Sequence, residues 1–216
     1  MKLALIIIII VSALSFVAYK ATGPGSSGAG IPMPWQLTVL DQQHVEIFGL
    51  VLNRSTLGQA AERFGVLEDV AIYRNPEGRF SLEAYLGKVS FGPLSARMIL
   101  NLKAEQGELE ALAENVRKRS NTENGSAKWV LSDQQKQQQM QRPIRALTYI
   151  PDFSGMEETM LRQQFGEPES RKPVDEHSEL WFYPASGVRI LVDKQGREVF
   201  EYSSPAEFAA TLGENQ

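Results

Sequence analysis

The sequence predicts an α+β fold: two tandem units, each a short helix laid on an antiparallel sheet, behind an N-terminal transmembrane helix. Three patterns predict it. A helical stretch closing on Phe-Gly occurs twice, at Phe64-Gly65 and at Phe165-Gly166. Each is followed by segments in which apolar and polar residues alternate, the period-two signature of a strand. Ahead of both lies an uninterrupted apolar run from Leu3 to Tyr19. The units divide at 35–124 and 125–216, which reads as an internal duplication.

The N-terminal run is flanked by Lys2 and Lys20. At 1.5 Å per residue it spans roughly 26 Å, close to the hydrocarbon thickness of a bilayer. Lys2 and the α-amino group favour a cytoplasmic N-terminus. A cleaved signal peptide calls for small residues before the cut, and Val17-Ala18-Tyr19-Lys20-Ala21 supplies them poorly. Residues 1–20 are therefore expected to form an uncleaved signal anchor, with cleavage and release as the alternative; either way the remainder is exported. Residues 21–34, rich in Gly, Ser and Pro, have the composition of a flexible linker.

In the first unit, Leu37, Val39, Val45 and Ile47 suggest short strands around Asp41-Gln42-Gln43. Leu57, Ala60, Ala61 and Phe64 share one face of a helix over 56–64, with Ser55 as its cap. Strands at 70–73 and 79–86 flank Asn75-Pro76-Glu77-Gly78, a strong turn. Leu94, Ala96, Met98, Leu100 and Leu102 alternate along a half-buried strand, and a helix is expected over 108–119. Residues 128–131 suggest a strand, 133–141 a glutamine-rich polar helix or a disordered strip, and 144–150 a return to the sheet.

The second unit is organised around 154–202. Ser154 and Glu157 have the spacing of a capping box, and Met156, Met160, Leu161 and Phe165 form an apolar helical face. Gly166 and Pro168 end that helix. Strands follow at Trp181-Phe182-Tyr183, 188–192 and 198–202, the last two joined by a turn at Asp193-Lys194-Gln195-Gly196. Ser204, Pro205 and Glu207 open a final helix with Phe208 and Leu212 inward.

The order Gly155-Met156, Leu161, Phe165-Gly166, Pro168, then the aromatic strand and the hairpin, resembles the BamE (SmpA/OmlA) family of bacterial envelope proteins. The same fold resembles the repeat of the β-lactamase inhibitor protein. The resemblance covers 154–202 and implies a protein that binds other envelope proteins without catalysis, as an assembly or scaffold factor. The alternative it implies is an inhibitor or sensor capping an envelope enzyme. With the apolar run read above, the expected place is the bacterial inner membrane through residues 3–19, single-pass, with the C-terminal units in the periplasm, or secreted there after cleavage. BamE-type members carry a lipidated cysteine, and this chain has none. Lipid attachment and that family's own partners therefore do not carry over.

Composition excludes several other classes. Without cysteine there is no disulfide, thiolate metal site or cysteine nucleophile. Net charge is −4, and Arg117-Lys118-Arg119 is a lone basic cluster at a helix end, so nucleic acid is not an expected partner. His44 and His177 lie far apart and in no metal-ligand spacing. Glu157-Glu158 fits a helix N-terminus better than an acid pair, and Asp152 and Asp193 flank turns. Ser81, Glu83 and Tyr85 share one face of a strand, which reads as a solvated polar face. No catalytic residue, cofactor site or metal site is predicted, and an envelope hydrolase ranks last. The candidate site residues are Trp181 and Tyr183, proposed as a protein interface. They are expected on the strand face away from the helix, either meeting a partner or covered by the other unit.

Overall fold

The computed structural model describes residues 33–91, 94–116, 119–121 and 126–214. The chain begins with a three-stranded sheet of β1 (Leu37–Asp41), β2 (His44–Ile47) and β3 (Leu50–Val51), followed by helix α1 (Leu57–Phe64). A meander of β4 (Asp69–Arg74), β5 (Phe80–Phe91) and β6 (Leu94–Leu102) leads to α2 (Gln106–Glu114). Then come β7 (Arg119–Asn121), β8 (Ala127–Val130), α3 (Asp133–Gln139) and β9 (Ile144–Pro151). The C-terminal part is α4 (Glu158–Phe165), a second meander of β10 (Ser170–Pro173), β11 (Ser178–Tyr183), β12 (Val188–Asp193) and β13 (Val199–Tyr202), and α5 (Pro205–Glu214).

The expectation of two separate tandem units is corrected here. β4 to β13 form one ten-stranded sheet, in the order β10-β11-β12-β13-β9-β6-β5-β4-β8-β7, and Met33–Gln216 is one compact unit. β9 is the joint. It pairs antiparallel with β6 from Ala96↔Pro151 to Leu102↔Ile144, and on its other edge with β13 from Phe200↔Tyr149 to Tyr202↔Leu147. An unpaired β6 would leave a row of buried backbone donors and acceptors without partners, and β9 supplies them. β8, on the far side of the proposed boundary, likewise adds to β4 of the first meander.

The expected transmembrane helix and the anchor over 1–20 lie outside the described residues, as does all but the end of the linker. Among the described residues no helix is long and apolar enough to cross a membrane. The α-helices there run from 7 to 10 residues. Such short helices hold only by packing.

Register divides the sheet into two faces. On one lie Val70, Ile72, Leu82, Ala84, Met98, Leu100, Leu147, Tyr149, Ile190, Phe200 and Tyr202, all 2% exposed or less. α1 and α4 cover this face: Phe64 meets Phe91 edge-on at 6.0 Å, and Phe165 lies 5.8 Å from Phe200 and 5.7 Å from Tyr183. The N-terminal strands seal the middle, with Phe48 stacked on Tyr149 at 5.1 Å. On the other face the residues between are mostly half-buried, and α5 leans over one end, where Phe208 meets Phe182 at 6.3 Å.

Local chemistry explains most element ends. α1 is capped by Thr56 rather than Ser55, in a capping box with Gln59, and Gly65 ends it at φ 72°. α3 forms over the glutamine-rich strip because Ser132 and Gln135 make a second capping box. The box expected from Ser154 and Glu157 does not form. Glu157 is itself the cap residue, and the preceding Met156 N–H donates to the Glu198 carboxylate at 3.0 Å. β5 runs past its expected end because Gly87, at φ 74°, takes a bulge between Tyr85 and Gly87 and lets pairing resume to Phe91.

The open face of the sheet

The uncovered face has Glu83 near its middle. Cross-strand pairing sets Ala71 of β4 on one side of Glu83 and Asn101 of β6 on the other; Ser81 and Tyr85 precede and follow it on the same face of β5. Beyond Asn101 lies Ala146 of β9, and beyond Ile99 lies Thr148. The small side chains of Ala71, Ala146 and Thr148 leave depressions between larger neighbours. A pit of about 110 Å³ lies between Tyr73 and Tyr85 over Ala71. A trough of about 350 Å³ runs from Glu83 across Ala146 and Thr148 to Phe182 and Phe208 under α5. Glu83 lines both.

Charges on this face are paired almost throughout. Lys128 Nζ lies 3.4 Å from Asp69 and 5.5 Å from the centre of the Tyr73 ring. Lys136 lies 3.8 Å from Asp69 and 3.6 Å from Asp133. Arg145 Nε donates to Glu207 at 2.7 Å, and Arg189 Nε to Glu201 at 2.5 Å. Glu83 differs. Its Oε1 accepts the Ser81 hydroxyl at 2.9 Å, and among the described residues no cation lies within ion-pair distance. Burial pushes its carboxyl above the usual range, against the Ser81 hydrogen bond and the more distant Lys128, which pull it down.

Trp181 and Tyr183 are elsewhere. Both sit on the helix-covered face, 0% and 7% exposed. The guanidinium groups of Arg162 and Arg171 lie 5.3 and 4.5 Å from the centre of the Trp181 ring, and its Nε1–H donates to Glu179 at 2.6 Å. The Tyr183 hydroxyl donates to the Gly166 carbonyl at 3.2 Å. The two faces of β11 are thus the reverse of the expectation: α4 covers Trp181 and Tyr183, and α5 covers Phe182. Neither ring presents itself to a partner in this fold.

The groups set aside from the sequence remain local. His44 bonds Asp41 at 2.8 Å in the β1–β2 turn. Asp193 accepts the N–H groups of Gln195 and Gly196. Asp152 accepts the Ser95 hydroxyl at 2.7 Å and pairs with Lys88 at 2.9 Å, and these contacts hold its carboxyl below the usual range. No group of His, Asp and Glu that could hold a metal occurs among the described residues. Ser81, Glu83 and Tyr85 do share a face, as their alternation indicates. What alternation could not show is that Ala71 and Ala146 hollow that face on either side.

No known protein-family model, curated protein or solved structure gives a significant match to the chain. The likeness to the BamE family rests on the residues quoted for it.

Proposed function

We propose that the protein binds another protein, without catalysis, on the open face of its ten-stranded sheet. The observation that carries this reading is the asymmetry of the sheet. One face is sealed by α1, α4 and the N-terminal strands, while the other keeps half-buried Tyr73, Tyr85 and Ile99 around a pit that adjoins a trough. Half-buried aromatic and aliphatic side chains around polar groups are the composition of a recognition surface. The charges there are already paired with one another, which suits holding better than proton transfer. The apolar run from Leu3 to Tyr19 and the BamE resemblance support a place outside the cytoplasm of a bacterium, as an assembly or scaffold factor.

Site-specific photo-crosslinking in intact cells tests this. A photoreactive residue at Thr148 or Leu191, on the open face, is expected to capture a discrete partner. The same residue at Glu62 or Gln163, exposed on α1 and α4, is expected to capture none. Capture from the helices and none from the sheet overturns the reading. A single enzyme as the captured partner points to the inhibitor role instead of assembly.

A further inference from the structure

Resting on that reading, we infer that the trough takes an extended peptide segment and that Glu83 receives a basic side chain of that segment. The shape argues for a peptide. From β5 to β11 the trough crosses β6, β9, β13 and β12, five strand spacings of ~4.8 Å, or ~24 Å. An extended chain covers that length with about seven residues at ~3.4 Å each. The far end is bounded by the packed Phe182 and Phe208 rings, and the middle lies over Ala146 and Thr148.

The charge argues for the basic residue. Along the trough Arg145 is matched by Glu207 and Arg189 by Glu201. In the adjoining pit Lys128 is matched by Asp69, which Lys136 of α3 also approaches at 3.8 Å. Glu83 is left as the carboxyl without a cation among the described residues, half-buried beside the Tyr85 ring. A guanidinium or ammonium there gains a charge-assisted hydrogen bond and an aromatic face together. Arg79 lines the outer cavity on the Ser81 side and has an interaction of its own. The raised proton affinity of Glu83 accords with a carboxylate stripped of water before its counter-ion arrives.

The test is selection of a random heptapeptide library, displayed on phage, against the purified full chain and against Glu83→Gln. Glutamine keeps the size and can still accept the Ser81 hydroxyl, so the fold is retained, which circular dichroism checks. On the native chain, Lys and Arg are expected to be enriched at least fivefold at one position. On Glu83→Gln that enrichment disappears. Replacing the selected Arg by uncharged citrulline weakens a synthetic peptide at least tenfold. Peptides selected without a basic residue, or a basic preference unchanged on Glu83→Gln, overturn the inference while crosslinking from Thr148 can still uphold the binding face. Peptides that bind Thr148→Trp, where the indole fills the trough, overturn both. Failure to select any peptide, with spermidine alone shifting the Tyr85 resonances, shows a small amine and overturns the peptide.

Discussion

Replacing Trp181 by alanine tests the assignment of that ring to the core. The side chain is 0% exposed, so the full transfer and cavity cost applies, ~3–5 kcal/mol for a large aromatic residue. Two further losses add to the transfer cost. The guanidinium groups of Arg162 and Arg171 lose the ring they lie over, a small loss for cations that water already reaches. Glu179 loses the indole N–H, a small cost because water reaches that half-exposed carboxylate. We place the total near ~4 kcal/mol, toward the top of single-substitution effects. With a urea slope of ~3 kcal/mol per molar, the unfolding midpoint should fall by ~1.3 M. Trp181→Phe, which keeps a ring under the arginines, should lose about half as much. Equilibrium urea denaturation followed by far-ultraviolet circular dichroism measures both. A Trp181→Ala midpoint within ~0.3 M of the native value would refute the burial, since no residue buried this way is lost so lightly.

Other expectations concern pH, a turn and a tie. Glu198 is 1% exposed, its Oε1 takes the Met156 N–H, and its Oε2 has no partner among the described residues; burial first, then the nearby Asp193, raises its proton affinity. A carboxyl raised in the folded state stabilises below its unfolded value, near 4.5, and that contribution is lost as pH rises through the folded value. Urea midpoints at pH 5 and pH 8 should therefore differ less in Glu198→Gln than in the native chain, and equal slopes would sink this. Gly187 sits at φ 67° with the Ser203 carbonyl where a Cβ would go, so Gly187→Ala should cost more than the ~1 kcal/mol of the backbone strain alone, read as a drop in thermal midpoint. The Tyr202 hydroxyl donates to the Pro34 carbonyl at 2.8 Å in a buried site. Tyr202→Phe should lower stability by ~1 kcal/mol and speed proteolysis ahead of residue 37, a change that N-terminal sequencing of the cut product detects.

Much of the local structure was legible because local chemistry sets it. Phe64-Gly65 and Phe165-Gly166 end helices where only glycine turns easily, and Asn75 to Gly78 make the turn that their residue types demand. The sheet's continuity was not legible. It depends on β6 meeting β9, Ala96 against Pro151, and nothing in either strand alone names the other. The faces of β11 are not readable from the sequence for a related reason. Trp181, Phe182 and Tyr183 are apolar on both sides, so alternation cannot say which side α4 will take. The open face was half legible. Ser81, Glu83 and Tyr85 showed themselves as one row, but the hollows beside them are made by Ala71 and Ala146, small residues that carry no chemical signal. The capping box at Ser154 failed because a distant carboxylate, Glu198, claimed the loop's backbone first.

The placing of β9 has a consequence for how the molecule is made. As synthesis proceeds from the N-terminus, β4, β5 and β6 emerge and can close on one another, yet the outer rim of β6 must wait until residue 151 has appeared. Through that interval a rim of free backbone groups backed by Met98 and Leu100 is open to any strand nearby, including the same rim on a neighbouring nascent chain. Fragments stopping short of Pro151 should clump, whereas those reaching past it should stay dispersed.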